Sequence, residues 1–86
     1  MYIIEPYTES QASRMGLTVK PSHDKYKKID VFKNGNKIAA VGDIRYKDYT
    51  KYLKEDKSLA EQRRKLYHAR HKENTLRERL ARQLLW

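Results

Sequence analysis

The 86-residue chain is small, strongly basic and free of cysteine, with 38% hydrophobic residues, 36% charged residues and a formal net charge of +9. A chain of this length forms one modest core and leaves little room for a deep enzyme pocket. The absence of Cys excludes disulfides, thiolate zinc sites and thiol nucleophiles. No apolar run approaches the roughly 18 residues of a membrane span, and residues 1–6 do not resemble a secretory signal. We therefore expect an intracellular protein without a membrane partner.

The first predicted element is a short N-terminal helix over about residues 9–15. Thr8-Glu9-Ser10-Gln11 has the spacing of a capping box, with Thr8 as the N-cap. Gly16 then supplies a C-terminal stop. Residues 17–22 are expected to be extended, because Pro21 disfavours helical angles in the residue before it.

A β-hairpin is the clearest prediction in the chain. Asn34-Gly35 is the preferred pair for a type I′ turn, since both positions require positive φ. Apolar and mixed residues alternate on either side of it, as expected for a half-buried antiparallel pair. A tight turn here predicts the pairs Val31 with Ile38, Ile29 with Ala40, Phe32 with Lys37 and Lys28 with Val41.

Three tyrosines follow the hairpin at i, i+3 and i+6, namely Tyr46, Tyr49 and Tyr52. In a helix this spacing places the rings along one face. We interpret them as packing residues in preference to a binding platform.

Two helices are predicted to complete the chain. The capping box Ser58-Leu59-Ala60-Glu61 opens the first, which runs to about Lys72 with Leu59, Leu66, Tyr67 and Ala69 as its apolar positions. A second box, Thr75-Leu76-Arg77-Glu78, opens the next. A single helix from Ser58 to Trp86 is the alternative, but Asn74 and Thr75 favour a break.

Together these elements predict an α+β fold, in which one antiparallel β-hairpin packs on C-terminal α-helices and a short helix lies at the N-terminus. Residues 1–25 are expected to form an N-terminal arm with that short helix. Residues 26–86 are expected to form the hairpin and a helical basic domain.

The positive charge is concentrated in the C-terminal half. Residues 45–86 carry thirteen Lys and Arg against six Asp and Glu, and so hold +7 of the total. Arg outnumbers Lys six to three over residues 57–86, and its planar fork of donors matches phosphate or carboxylate oxygens. A solvated face with i, i+4 ion pairs is the alternative. The candidate nucleic-acid-binding residues are Arg63, Arg64, Lys65, Arg70, Lys72, Arg77, Arg79 and Arg82.

Metal binding and catalysis are not favoured by the remaining motifs. His68 and His71 are spaced at i, i+3, but a zinc site needs three or four ligands and only Glu61 and Glu73 are near in sequence. A tyrosine nucleophile requires several Arg and a His to converge on one ring, which a chain this short has little scaffold to arrange. There is no glycine-rich phosphate loop. We predict no catalytic residue, metal or cofactor, and a packed or solvent-facing histidine beside Tyr67.

The final residues, Leu84, Leu85 and Trp86, have two interpretations. They either dock back on the hairpin, or anchor the chain in a partner, since Trp is enriched in interface hot spots. We assign them as candidate partner-binding residues.

Several short motifs occur together, and their order along the chain is informative: Val19-Lys20-Pro21-Ser22, Lys27-Lys28, Val41-Gly42-Asp43, Tyr46-Lys47-Asp48-Tyr49-Thr50, Arg64, Tyr67-His68-Ala69-Arg70-His71 and Ala81-Arg82-Gln83-Leu84-Leu85-Trp86. Over about residues 17–86 the chain resembles a small domain family, without an assigned activity, of large double-stranded DNA viruses. The resemblance implies a virus-encoded protein that acts inside the host cell and is packaged in the virion.

The function expected from these observations is non-enzymatic, largely sequence-independent nucleic-acid binding through phosphates, with DNA favoured over RNA. The alternative is a structural virion component, such as a minor capsid or core protein. Its Arg face would then meet acidic protein surface, and the last three residues would insert into a neighbour or a second copy of the chain.

Overall fold

The computed structural model describes residues 2–86 and confirms the α+β fold. A three-stranded antiparallel sheet in the order β1-β2-β3 follows one helix and precedes three more. The predicted hairpin supplies β2 and β3, and β1 lies within the segment predicted to be extended. The elements are α1 (Pro6–Arg14), β1 (Thr18–Pro21), β2 (Lys27–Lys33), β3 (Asn36–Asp43), α2 (Tyr49–Glu55), α3 (Lys57–Arg70) and α4 (Leu76–Leu84).

Helix α1 begins three residues earlier than predicted, because Pro6 occupies its start with a φ angle already suited to a helix. The prediction of Thr8 as the N-cap is wrong, since Glu5 holds that position without a side-chain capping bond. The Thr8 hydroxyl instead donates to the carbonyl of Leu84 at 2.7 Å. Gly16, at φ 70°, follows the end of the helix and supplies the predicted stop. Thr8 therefore fastens α1 to the end of α4.

The hairpin turn is confirmed, and its register shifts by one residue beyond the first pairs. Asn34 and Gly35 have φ angles of 51° and 82°, as a type I′ turn requires. Phe32 pairs with Lys37 as predicted, but an irregularity follows and leaves Ile38 without a partner. The three other predicted pairs are therefore wrong by one position: Val31 pairs with Ala39, Ile29 pairs with Val41, and Asp30, not Ile29, pairs with Ala40.

The main apolar core joins the N-terminal segment, the sheet and the C-terminal residues. Ile29, Val31 and Val41 are fully buried and belong to one apolar cluster with Leu84 and Leu85. Tyr2, Ala12 and Val19 belong to the same cluster. The structure therefore does not separate residues 1–25, which were expected to form an arm, from residues 26–86.

The C-terminal region forms separate helices, as the preferred interpretation predicted. Thr75 caps α4 by accepting a hydrogen bond from the Glu78 amide at 3.2 Å. Helix α3 is capped by Asp56 and not by Ser58, since the Asp56 carboxylate accepts from the Ser58 amide at 2.8 Å. Asp48 caps the additional helix α2, which packs against α3.

Gly42 fixes where the chain end meets the hairpin. A Cβ atom at this position would lie 2.8 Å from Leu85 Cδ1 and 2.9 Å from Lys28 Cδ, and the φ angle is 86°. Only glycine fits such a contact and backbone without strain. The Leu85 carbonyl also accepts from the Tyr49 amide at 3.1 Å. These contacts hold Leu85, and therefore the adjoining Trp86, in a fixed place.

Candidate functional site

A cleft of about 590 Å³ opens at the end of the hairpin opposite its turn. One wall comes from α3, another from the first turn of α4, and the loop before α2 completes the lining. Leu85 and Trp86 also line the cleft. The rigid contacts of Gly42 and Leu85 therefore position one side of it.

One face of α3 supplies the basic and aromatic wall of this cleft. Arg63, Leu66, Tyr67 and Arg70 are spaced at i, i+3, i+4 and i+7, which places them on one side of a helix. Leu66 is 45% exposed and Tyr67 is half-buried. Leu66 and Tyr67, two of the predicted apolar positions of this helix, therefore border the cleft and are not fully buried. Ala69, also predicted on the apolar side, is exposed.

Four rings form a row along the cleft. His71 stacks on Tyr67 with a centroid distance of 4.0 Å and an interplanar angle of 17°. Tyr67 in turn stacks on Trp86 at 4.4 Å and 7°. Tyr52 follows at 6.3 Å from Trp86, tilted by 44°. Three rings are thus in parallel contact, and the fourth is set at an angle.

The position of Trp86 corrects the assignment of the last three residues as a partner anchor. Leu84 and Leu85 are 0% and 1% exposed, so they pack in the chain's own core and the prediction is wrong for them. This is the docking-back interpretation that the sequence left open. Trp86 is half-buried, and its carbonyl oxygen lies 3.3 Å from His68 Nε2. The Trp86 ring lines the cleft, and the contact of Trp86 with a partner stays a prediction.

Three of the predicted arginines converge on the cleft. Arg63 and Arg70 project from α3, and Arg77 projects from the first turn of α4 on the other wall. All three are exposed, and none belongs to the ion pairs found within residues 2–86. They form a positive rim across the aromatic row.

The other predicted cations lie elsewhere or serve the fold. Arg64 is half-buried, with its guanidinium carbon 4.8 Å from the centre of the Tyr49 ring. Lys65, Lys72 and Arg79 are exposed but do not line the cleft.

Arg82 is a support of the α3–α4 loop and not a free surface cation. Its Nη1 atom donates to the carbonyl oxygens of His71 at 2.6 Å and Glu73 at 2.8 Å. These two bonds engage its donors at Nη1 with the backbone, and the predicted contact of Arg82 with phosphate stays a prediction. Its partners are carbonyl groups eleven and nine residues away, which no sequence spacing identifies.

Lys27 and Lys47 also line the cleft, and they were not among the predicted site residues. Lys27 lies in the hairpin, and Lys47 lies in the loop before α2, whereas the predicted binding residues were all taken from residues 63–82. Lys47 is paired with the exposed Glu55 at 2.9 Å, and such surface pairs are weak.

The two acidic residues lining the cleft are each held by a neighbour. Two hydrogen bonds from the Arg45 side chain and one from its amide lower the pKa of Asp43 to about 2. Glu78 Oε2 lies 3.2 Å from His71 Nδ1. Six Lys and Arg side chains line the cleft against these two carboxylates, so its net charge is positive.

The histidines contact different groups and do not converge on a common point. His68 approaches the Trp86 carbonyl and His71 approaches Glu78. Within residues 2–86 no three His, Cys, Asp or Glu side chains are grouped as metal ligands would be. Burial, assisted by Glu78, raises the pKa of Tyr67. A raised pKa disfavours the phenolate that a tyrosine nucleophile requires.

A buried ionic network lies behind the cleft. The Asp48 carboxylate is 0% exposed and accepts hydrogen bonds from Lys28 Nζ at 2.9 Å and the Tyr2 hydroxyl at 2.5 Å. The Thr50 hydroxyl and the Lys51 amide donate to its other oxygen. The network joins β2, α2 and the N-terminal segment through one carboxylate.

The pKa values of both charged residues in this network, Asp48 and Lys28, are shifted. Burial alone would raise the pKa of Asp48, but the ammonium of Lys28 and the hydrogen bonds from Thr50 and Tyr2 outweigh it and hold that pKa below its usual range. Burial lowers the pKa of Lys28, and Asp48 opposes that shift only in part. Burial and the bond to Asp48 raise the pKa of Tyr2. Asp48 is therefore ionised at neutral pH, and each member of the pair favours the charged form of the other.

Comparison with known proteins adds no assignment. No family model, curated protein or solved structure matches the chain. Within residues 2–86 no helix has the length and apolar character needed to cross a membrane.

Proposed function

We propose that the protein binds nucleic acid in the basic and aromatic cleft, without catalysing a reaction on it. The observation that carries this proposal is the convergence of Arg63, Arg70 and Arg77, exposed and outside every ion pair of residues 2–86, on a row of aromatic rings. Guanidinium groups bind phosphate oxygens through paired donors. Aromatic rings next to such groups offer surfaces on which bases stack.

The arrangement of the charges favours a backbone contact over a sequence-specific one. Lys27, Arg63, Arg70 and Arg77 surround the cleft as cations, and phosphate contacts carry no direct sequence information. We expect binding that tolerates many sequences. Preference for DNA over RNA and the viral setting implied by the resemblance stay predictions.

Binding of acidic protein surfaces is the second function expected from the sequence. Part of its support is lost, because Leu84 and Leu85, two of its three anchor residues, are buried in the core. The row of rings also has no evident use on a surface of carboxylates, whereas bases stack on rings. Nucleic acid therefore accounts for more of the cleft than an acidic protein does.

The salt dependence of affinity tests the proposal. With about four cations contacting phosphates, the logarithm of the association constant is expected to fall with the logarithm of salt concentration at a slope between about −3 and −4. Fluorescence anisotropy of a labelled oligonucleotide across a salt series measures this slope. Polyglutamate, added at equal charge as a competitor, is expected to displace little of the oligonucleotide.

Two results would contradict the proposal. A slope shallower than about −1 would mean that phosphates contribute little. Equal competition by polyglutamate would favour the acidic-protein alternative instead.

A further inference from the structure

We propose that the cleft receives an unpaired base between Tyr52 and Trp86, so that its ligand is single-stranded nucleic acid. This inference rests on the proposed function and adds the identity of the ligand. The preference for a single strand over a duplex follows from the aromatic rings of the cleft and not from its charges.

The gap between Tyr52 and Trp86 differs from the other contacts in the row. Tyr67 has neighbours on both sides, since His71 and Trp86 stack on it with centroids 4.0 Å and 4.4 Å away. Trp86 is stacked on Tyr67 alone, and Tyr52 stands 6.3 Å from it at an angle of 44°. A centroid distance of 6.3 Å is normal for a tilted pair of rings, so this is the one contact in the row that is not parallel and that an entering base would have to separate.

The spacing at this gap is close to that required by an inserted base. Stacked bases are separated by about 3.4 Å, so a base between two rings needs about 7 Å from ring to ring. The 6.3 Å separation is shorter than this value, so an inserted base requires Tyr52 to turn by 44° to become parallel to Trp86 and to move slightly away from it. Tyr52 is half-buried on the short helix α2, and the loop before α2 also lines the cleft.

Positive charge flanks the same gap. The Arg63 guanidinium carbon and Lys47 Nζ each lie 5.8 Å from the centre of the Tyr52 ring. A phosphate next to an inserted base would therefore lie near a cation, of which Arg63 is outside the ion pairs of residues 2–86 and Lys47 is paired with the exposed Glu55. Arg70 lies two helical turns along α3 from Arg63, about 10 Å away, and continues the path for the backbone.

The same geometry disfavours a duplex. In double-stranded nucleic acid the base faces are covered by neighbouring pairs, and rings recessed in a cleft cannot reach them. A volume of about 590 Å³ falls in the range of small-ligand pockets and suits a nucleotide or two. Every base has a π-face, so such a contact is tolerant of sequence.

Trp86 is the only tryptophan in the chain, and its fluorescence therefore reports on this gap directly. The unmodified protein is titrated with a thymidine oligonucleotide of about eight residues, an abasic strand with the same number of phosphates, and a duplex of the same length. The thymidine strand is expected to quench the fluorescence and to bind about 5- to 100-fold more tightly than the abasic strand, as one stacked base provides. The duplex is expected to leave the fluorescence nearly unchanged.

The outcomes separate this inference from the proposed function. Equal affinity for the thymidine and abasic strands, without quenching, would overturn the inserted base and leave phosphate binding in place. Quenching by the duplex as strong as by the single strand would likewise overturn it. Binding of none of the probes would overturn both.

Two variants of the Trp86 ring test the proposed base contact. Trp86→Leu keeps apolar bulk without a π-face and is expected to lose the preference for thymidine over abasic strand, whereas Trp86→Phe is expected to retain most of it. Circular dichroism and the affinity for the abasic strand check that each variant is folded and still binds phosphates. A preference unchanged in Trp86→Leu would contradict the inference.

Discussion

Replacing Asp48 with asparagine is expected to lower the free energy of unfolding by about 3–5 kcal/mol, the range found when one partner of a buried ion pair is removed. The substitution keeps the size of the side chain and removes its charge. Lys28, with 4% of its side chain exposed, then has no counter-ion, and the hydroxyls of Tyr2 and Thr50 lose a charged acceptor. Urea denaturation measures the loss.

Asp56 provides the matched control. Both residues are helix N-caps, but Asp56 is exposed whereas Asp48 is buried. Asn caps helices about as well as Asp, so Asp56→Asn is expected to cost less than about 0.5 kcal/mol. The double variant Lys28→Met with Asp48→Asn is expected to be less destabilised than the two single variants added together, because each single variant leaves one group unpaired. Strict additivity would mean that the pair does not act as a unit.

The dependence on pH has a defined sign. The pKa of Asp48 is lower in the folded protein than in the unfolded chain, so its contribution to stability is present above the unfolded value near 4 and is lost as pH falls through the folded value. The difference between the natural protein and Asp48→Asn should therefore shrink below about pH 4. A difference that stays constant into acid would contradict an ionised Asp48.

Reversing the three cleft arginines to glutamate is expected to weaken binding to a single-stranded oligonucleotide by at least about 100-fold, since three charge-assisted contacts are replaced by repulsion. Arg63, Arg70 and Arg77 are exposed and form no ion pair within residues 2–86. The fold should therefore tolerate the change. Anisotropy at one fixed salt concentration measures the affinity.

A second triple variant distinguishes the effect of where the charges lie from the effect of the net charge of the protein. Lys65, Lys72 and Arg79 are exposed and lie outside the cleft lining, and reversing them changes the net charge by the same amount. This control is expected to weaken binding by less than about tenfold, through the long-range field alone. Equal losses in the two variants would mean that binding follows net charge and not the cleft.

Local chemistry made part of the fold predictable from the sequence. The Asn34-Gly35 turn and the break before Thr75 depend on φ preferences and capping within a few residues, and both are present. The extended segment before the hairpin was also predictable, because Pro21 restricts its neighbour. Its pairing with β2 was not, since nothing local specifies it.

Contacts between residues distant in sequence account for the predictions that the structure contradicts. Thr8 has the spacing of an N-cap, but its hydroxyl bonds to a carbonyl 76 residues away. The one-residue shift at Ile38 brings Val41 opposite Ile29 and Ala39 opposite Val31, and no local pattern in the sequence specifies it. The sequence allows Leu84 and Leu85 to be either an exposed partner anchor or part of the core. Their contact with the hairpin places them in the core.

The site was predictable on one wall only. The spacing of Arg63, Tyr67 and Arg70 already places them on one helical face. The approach of Arg77, Lys27 and Trp86 to that face depends on how α4 and the hairpin pack against α3. Arg82 donates hydrogen bonds to two backbone carbonyls of the loop before α4, and no residue pattern predicts these bonds.

An amide NMR titration of the full chain with a single-stranded oligonucleotide locates the ligand residue by residue and is therefore the strictest test of binding in the cleft. We expect shifts concentrated at Arg63, Tyr67, Arg70 and Arg77 and at the single indole resonance of Trp86, with little change at Lys65 and Arg79. Shifts spread evenly over the basic surface, or confined to residues outside the cleft, would contradict binding in the cleft.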